Sequence, residues 1–487
     1  MKGSVTRLRR AALTLPAAAL MASIPLASST SANALTQPPE GRGARAYAVT
    51  DPAMLAMEQR QEVLDKIAGT ITQNLSEFDR AKIPGFTEIE VDPDHNQLRL
   101  HWKGTPPRRV AAILAHLPSG VTATVVSARY SKAELHAARE KLLRGGKPEN
   151  LRIPSTATPI RITSIGGAVD GSGLDITYAD APGPDTAAPR DSLAPAARQD
   201  RSREVKALTD RLTGINTTAS YKASPAEAAT PAASASRPAA ASPNASLINR
   251  QQDFYPWSGA SALRNPTGGI CSSGFGIKND KGENMLTTAY HCGGGNGLWS
   301  TYASNDAVGV TDNFEAYTSD DVQGIHLPTP QLSGWLYDGA AKEGTYDVKP
   351  VTGWGHNNVG DYVCEDGANG GVHCNLKIAK TDIGTSGVGG FWRPITDLAY
   401  ATSLTPDGIA GVNGDSGAPV FAGANNYTTD EARGTLTAFD TTVTCPADET
   451  ATTVADGQVR TPWCFHGLYY VPIYQTLHDM NWTLVTH

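Results

Sequence analysis

Between residues 50 and 180 the apolar positions recur with two periods. Leu55, Val63, Leu64, Ile67 and Ile71 stand at helical spacing, which predicts a helix within Met54 to Phe78. Leu98, Leu100 and Trp102 alternate with Arg99 and His101, the pattern of a strand with one buried and one wet face. Phe86 to Val91 supplies its partner across the turn residues Asp92-Pro93-Asp94. Val110, Ile113, Leu114 and Leu117 make a second helical stripe, and Val121 to Ser127 reads as a strand. Ser131 and Glu134 form a capping box that opens a third helix, with Leu135, Ala138 and Leu142 on one side and Gly145 near its end. Ile160 to Ile165 and Leu174 to Tyr178 predict a hairpin that turns at Asp170-Gly171. Together these elements describe a small α+β domain, assigned to residues 35–180.

From 181 to 250 the periodicity fades and Ala, Pro, Ser and Thr dominate. Such a stretch buries too little apolar surface to offset chain entropy, so it reads as a linker, interrupted by a short helix near Val205 to Leu212. Beyond Gln251, short β-rich runs alternate with Gly, Asn and Asp turns, which predicts an all-β sandwich or barrel over 251–487. A single helix is expected near Tyr474 to Met480.

Length and composition narrow the picture. A chain of 487 residues, 40% of them hydrophobic, is long enough for more than one cored domain. A net charge of −7 argues against nucleic acid or an anionic membrane as the main partner. All six cysteines fall between Cys271 and Cys464, inside the β-rich half. The first residues explain why cross-links would persist there. Lys2, Arg7, Arg9 and Arg10 precede an apolar run, Ala11 to Leu26, and Ala32-Asn33-Ala34 is a small-residue cleavage site. Residues 1–34 therefore read as an export signal. Pro16, Pro25 and the shortness of the run disfavour a membrane anchor. Export to an oxidising compartment favours disulfides over thiols.

Two blocks carry candidate chemistry: Thr288-Ala289-Tyr290-His291-Cys292 and Asn413-Gly414-Asp415-Ser416-Gly417-Ala418-Pro419-Val420. Asp320 and Asp321 lie between them, and Asp321 heads the run Val322-Gln323-Gly324-Ile325. A serine hydroxyl attacks only when a base takes its proton, and a histidine serves only if its other ring nitrogen is held by an acceptor. Each residue alone has an ordinary structural reading, and Gly-Asp-Ser-Gly is good turn chemistry. Together, in the order His, Asp, Ser, they resemble the bacterial secreted members of the chymotrypsin superfamily, in the style of the streptogrisins of actinomycetes. T-A-x-H-C and G-D-S-G-x-P-V are the family's two signature blocks, and the resemblance spans roughly residues 255–487.

That resemblance implies a double β-barrel and a secreted serine endopeptidase working through a Ser416 acyl-enzyme. His291 would be the base, Asp321 its orienting partner (with the adjacent Asp320 as the alternative), and Ser416 the nucleophile. The backbone N–H groups of Gly414 and Ser416 would form the oxyanion hole, and Asp415 would be a buried acid holding the loop. The six cysteines allow 15 pairings. Proximity and the resemblance favour Cys271–Cys292, Cys364–Cys374 and Cys445–Cys464, the third of which departs from the family. Zinc at Cys364, His373 and Cys374 is the rival, at a spacing that fits no usual finger. No cofactor or metal is implied. The specificity pocket maps to Ala410, Thr437, Ala438 and Phe439. Ala410 stands where trypsin-like members carry Asp, so cleavage after Lys or Arg is not expected. Phe439 stands where most members have glycine, which favours small apolar side chains. The N-terminal domain resembles a pro-region that assists folding and blocks the cleft, so the expected partners are a polypeptide substrate and the chain's own pro-region, in a monomer. Two other readings compete: a peptidase-fold binding protein without activity, and an acyl hydrolase with a G-x-S-x-G elbow. Ala418 and the His-before-Ser order speak against the latter.

Overall fold

The first described helix begins where the sequence supplies a cap. In this computed structural model, Asp51 accepts a hydrogen bond from the Ala53 N–H at 2.9 Å, and Pro52 occupies the first turn of α1 (Pro52–Thr72). Residues 51–145, 150–154, 156, 159–181, 195–222, 250–293, 295–312, 316–317, 320–328, 332–339, 348–386, 394–446, 449 and 463–487 are described. The expected export signal (1–34) and residues 223–249 of the expected linker lie outside the described residues.

Helix α1 buries Leu64, Ala68 and Ile71 against a three-stranded sheet. Its strands are β1 (Phe86–Asp92), β2 (Gln97–Trp102) and, after helix α2 (Arg108–Leu114), β3 (Thr122–Ser127). β1 and β2 are antiparallel with Ile89 opposite Leu100, while β2 and β3 are parallel. Leu98, Leu100 and Trp102 are buried as their alternation predicts. The opposite face of β2 is wet at Gln97 and Arg99 but not at His101. His101 is covered and its Nε2 lies 2.8 Å from Glu90 Oε1, because helix α3 (Lys132–Gly145) packs on that side and sends Lys132 to Glu88 at 2.9 Å.

Ser131 and Glu134 cap α3 reciprocally, the Ser131 N–H donating to Glu134 Oε2 at 2.9 Å and the Glu134 N–H to Ser131 Oγ at 3.4 Å. α3 shares a core with the hairpin β4 (Ile160–Gly167) and β5 (Leu174–Asp180). Within the stretch read as linker, α4 (Pro195–Thr213) and β6 (Thr217–Tyr221) are built, and β6 runs parallel to β5. Val205 and Ile215 fold that segment down onto the hairpin. A few well-spaced apolar residues thus recruit a chain whose average composition looks unstructured.

The C-terminal half is mostly β. One nine-stranded sheet includes Gly276–Lys278, Asn284–Ala289, Ala307–Thr311 and Val322–His326. A twelve-stranded sheet includes Tyr362–Gly367, Gly371–Thr385, Ile395–Ser403, Pro419–Ala424, Thr429–Phe439 and Gly467–Pro472. Helix α5 (Ile473–Asp479) follows near the position its pattern predicts. Apolar side chains that alternate along these strands form the cores around Phe275, Phe421 and Val471, around Ala418 and Tyr470, and around Trp299 and Leu286. Among the described residues no helix is long and apolar enough to cross a membrane.

The N-terminal elements are joined to this half by strand pairing and buried polar contacts. The free edge of β4 pairs with Gly371–Thr385, setting Ile165 opposite Gly384 and Ser164 opposite Thr385. Gln61 of α1 holds both backbone groups of Tyr362, donating to its carbonyl at 3.0 Å and accepting from its N–H at 2.7 Å. Arg433 is 3% exposed and lies 2.8 Å from Asp65 and 3.2 Å from Asp361. Arg139, 1% exposed, pairs with Asp382 and lies 2.7 Å from Asp397.

Candidate active site

Strand pairing delivers the first two candidate residues to each other. Asn284–Ala289 and Val322–His326 are antiparallel with Ala289 opposite Val322, so His291 and Asp321 leave the sheet at the same end. The Tyr290 N–H donates to the Asp321 carbonyl at 3.0 Å, continuing the ladder one step past the strand. Asp321 then takes a left-handed backbone conformation (φ 59°), which Asp tolerates better than most residues. Its carboxylate is fully buried and meets His291 twice. The His291 N–H donates to Oδ1 at 2.8 Å, and the ring Nδ1 lies 2.7 Å from Oδ2. Two contacts from one carboxylate fix the ring's orientation and leave Nε2 for other work. Burial alone would push the imidazole's pKa down; the Asp321 charge and hydrogen bond outweigh it and hold it above the ordinary value.

Asp320 goes elsewhere. Its Oδ2 accepts from Gln475 Nε2 of α5 at 2.8 Å, and its pKa is raised to about 8 by burial first and then by the charges of Asp397 and Asp479. The neighbouring acids are therefore separated by backbone geometry: Asp321 faces His291 and Asp320 faces α5.

Ser416 sits in a turn that glycine makes possible. Gly414 has φ 101° and Gly417 has φ 86°. A Cβ on Gly417 would stand 2.4 Å from Thr288 Oγ1 and 2.7 Å from the Ser272 carbonyl, so no larger residue fits. Between them, Asp415 is fully buried and accepts from the N–H groups of Val412 at 2.9 Å, Asn369 at 2.8 Å and Gly370 at 3.0 Å. The Ser416 carbonyl accepts from the Ser272 N–H at 2.8 Å and lies 3.7 Å from Cys292 Sγ. Cys292 follows His291 and is bonded to Cys271. The loop of Ser416 is thus anchored beside the turn that carries His291. Ser416 itself is half-buried.

Three disulfides are present: Cys271–Cys292, Cys364–Cys374 and Cys445–Cys464. Cys364 and Cys374 are joined to each other, so neither sulfur is open to a metal. Ala410 and Thr437 are buried, and Ala438 and Phe439 are half-buried. Phe439 stacks face to face on Phe465, with ring centroids 4.6 Å apart and planes 3° from parallel. A Cβ on Gly411 would come within 2.7 Å of the Phe439 ring, so the two phenyl rings lie directly against the segment leading to Ser416. No feature of the sequence marks Phe465 as the partner of Phe439. Its place follows from the pairing of Gly411 with Phe465, a register between short strands that no periodicity signals.

Among the described residues, two clusters bring three metal-capable side chains within 4.8 Å of one another: His136 with Asp382 and Asp397, and Glu365 with His373 and Asp415. In the first, the Arg139 guanidinium already supplies the positive charge. In the second, the His373 ring lies between carboxylates, Nδ1 3.4 Å from Glu365 and Nε2 3.5 Å from Glu449.

No protein-family model matches the chain, and no curated protein matches it. Among solved structures the chain is similar to a Nocardiopsis protease (NAPase), at 20% identity, over 47% of this chain and 97% of that one, with a TM-score of 0.33. It is similar to Thermobifida fusca protease A at 19% identity, over 47% and 98% of the two chains, with a TM-score of 0.34. An alpha-lytic protease homologue, N4, is 21% identical over 47% and 98%, with a TM-score of 0.33.

Proposed function

We propose that this chain is an exported serine endopeptidase, with a double-barrel catalytic half and an N-terminal region that acts as its pro-region. The observation that carries the reading is the His291 Nδ1 to Asp321 Oδ2 contact of 2.7 Å, beside a glycine-flanked loop that presents Ser416. In the reaction, His291 Nε2 takes the Ser416 hydroxyl proton as Oγ attacks the scissile carbonyl. Asp321 keeps the ring in the tautomer that leaves Nε2 basic and stabilises the imidazolium that forms. The N–H groups of Gly414 and Ser416 receive the developing oxyanion, each commonly contributing a few kcal/mol of barrier reduction. His291 then returns the proton to the leaving amine, giving an acyl-enzyme on Ser416. Water, deprotonated by the same ring, releases the acid and restores the hydroxyl.

The Phe439–Phe465 stack favours substrates with a small side chain before the scissile bond. The pairing of β4 with Gly371–Thr385 and the buried ion pairs of Arg139 and Arg433 are what supports a docked pro-region. An all-β catalytic half dominated by non-local contacts folds slowly, which gives such a template its use.

The test is covalent titration. An aryl sulfonyl fluoride or an organophosphonate should modify Ser416 in the processed protein, and Ser416→Ala and His291→Ala should abolish the label. An unlabelled Ser416 in folded, processed protein, under conditions that modify a known serine peptidase, overturns the assignment.

A further inference from the structure

The loop that presents Ser416 rests on a buried group that the mechanism above does not use. His373 lies on strand Gly371–Thr385, directly across from Glu365 on strand Tyr362–Gly367. Both are neighbours of the Cys364–Cys374 disulfide, which fixes their separation. The ring is 8% exposed. Its Nδ1 faces Glu365 Oε2 at 3.4 Å and its Nε2 faces Glu449 Oε1 at 3.5 Å. A neutral imidazole has one N–H and one lone pair, so it would point a lone pair at one of the two carboxylates. With both carboxyls ionised, only the doubly protonated ring can donate to both.

Two glycines let this ring reach the catalytic loop. A Cβ on Gly370 would stand 2.6 Å from His373 Cε1 and 2.7 Å from Asp415 Oδ2, so the imidazole edge and the Asp415 carboxylate meet across a bare backbone. A Cβ on Gly367 would fall 1.9 Å from Asp415 Cγ. Glu365 Oε2 in turn lies 3.2 Å from where a Cβ on Gly411 would be, under the segment that carries the phenyl stack. The charged groups around the ring are Glu365 and Asp366 on one strand, Asp415 on the Ser416 loop and Glu449 on the segment before Cys464. Arg250 takes Asp366 in a buried ion pair, and its charge also reaches Asp415. Among the described residues neither Glu365 Oε1 nor His373 Nε2 has a hydrogen-bond partner. In so buried a site, a cation among carboxylates has large leverage.

We propose that His373 is a positioning residue for the reaction: as an imidazolium clamped between Glu365 and Glu449, it keeps Asp415 ionised and so holds the Gly414–Ser416 turn in shape. This rests on the reading of Ser416 as nucleophile. Direction and cause agree with the geometry. Burial would lower the pKa of His373, but the Glu365 hydrogen bond, the neighbouring Glu449 carboxylate and the charges of Glu365 and Asp415 raise it to about 10. Burial pushes Asp415 and Glu365 up; the backbone N–H groups of Val412, Gly370 and Asn369 and the His373 charge pull Asp415 back toward its ionised form, and the His373 hydrogen bond and charge do the same for Glu365. A raised basic pKa contributes in full below the ordinary 6.5 and is lost as pH rises through about 10.

Three measurements on the processed protein test this. Nuclear magnetic resonance of the His373 ring should show it doubly protonated from neutrality to beyond pH 9. A ring titrating near its ordinary 6.5 overturns the proposal whether or not Ser416 is catalytic. Glu449→Gln, an isosteric change at a side chain 14% exposed on the far side of the ring, should fold normally and move the alkaline limb of kcat to lower pH by about one unit or more. An unmoved limb overturns the proposal. His373→Gln should lower kcat and the rate of Ser416 sulfonylation by up to about 100-fold, with KM little changed. A fall in thermal stability with kcat intact would assign His373 a structural role only. Failure of the wild-type protein to label at Ser416 with the ring still doubly protonated defeats the peptidase reading instead.

Discussion

At the scale of single residues, the site turns on how one carboxylate is used. Asp321 spends one oxygen on the His291 backbone and the other on its ring, so both the position and the tautomer of the base depend on it. Asp321→Asn would present an N–H to a ring nitrogen that needs an acceptor. The expected result is a kcat lower by about 10,000-fold with folding intact, measured on a peptide substrate beside a thermal melt. The pH dependence follows with a definite sign. His291 must be neutral to take a proton, and its pKa is raised above 6.5, so the acid limb of kcat/KM should lie above 6.5. In the Asp321→Asn variant that limb should move to lower pH. His291 and Ser416 stand out as candidates in the sequence because their neighbours form fixed blocks. The choice between Asp321 and Asp320 was legible only through the aliphatic residues that follow. What the chain could not declare is that the left-handed turn at Asp321 sends adjacent carboxylates in different directions.

Among elements, pairing decides what the site can accept. The strands Asn284–Ala289 and Val322–His326 bring His291 to Asp321, while short pairings near the C-terminus set Phe465 beside Gly411. Phe439 was visible as a departure from the family's glycine, but its stacking partner was not. Phe439→Gly should open the space over Gly411 and raise kcat/KM for substrates with a large apolar residue before the cut, relative to alanine, by about 10- to 100-fold. A peptide-library profile of both forms measures this, and an unchanged profile would mean that the phenyl stack lies outside the substrate's path. The N-terminal elements were read well where periodicity is strong, as in α1, the β1–β2 hairpin and the capped α3. α4 and β6 were harder, since Pro195–Thr213 is rich in charged and small residues and holds only a few apolar anchors. Its packing against the β4–β5 hairpin is a tertiary contact that overrides a weak local preference.

Across the whole molecule, the N-terminal elements and the β-rich half are held by charges buried between them. Arg139 reaches from α3 to Asp382 and Asp397. Removing it by Arg139→Ala would leave those acids without their cation, at an expected cost of about 3 to 5 kcal/mol in chemical denaturation. A change under 1 kcal/mol would show that water replaces the guanidinium freely. Acid should also loosen this contact. Asp382 is held well below the usual carboxylate range: burial opposes the shift, but the Arg139 charge and His136 outweigh it. Glu77 is lowered to about 2, since its bonds and charges with His356, Arg80 and Asn357 exceed the cost of burial. An acid with a depressed pKa contributes fully above its ordinary value, 4.5 for Glu77, and loses that contribution as pH falls toward about 2. After the chain is nicked between residues 223 and 249, the two fragments should stay associated at pH 6 and separate progressively below pH 4.5, as size-exclusion chromatography would show.

The amino-acid sequence by itself determined which residue types stand in which blocks: the apolar periods, the caps, the glycines of the Ser416 turn and the candidate chemistry of His291 and Ser416. These are local properties, set by side-chain chemistry and by spacings of a few residues. Only the tertiary structure decided that Phe465 lies against Phe439, that His373 sits under Asp415, and that β4 continues a sheet begun two hundred residues later. Each of those contacts joins segments far apart in the chain. Their register and burial come from packing the whole molecule at once, and no short stretch of sequence carries that information.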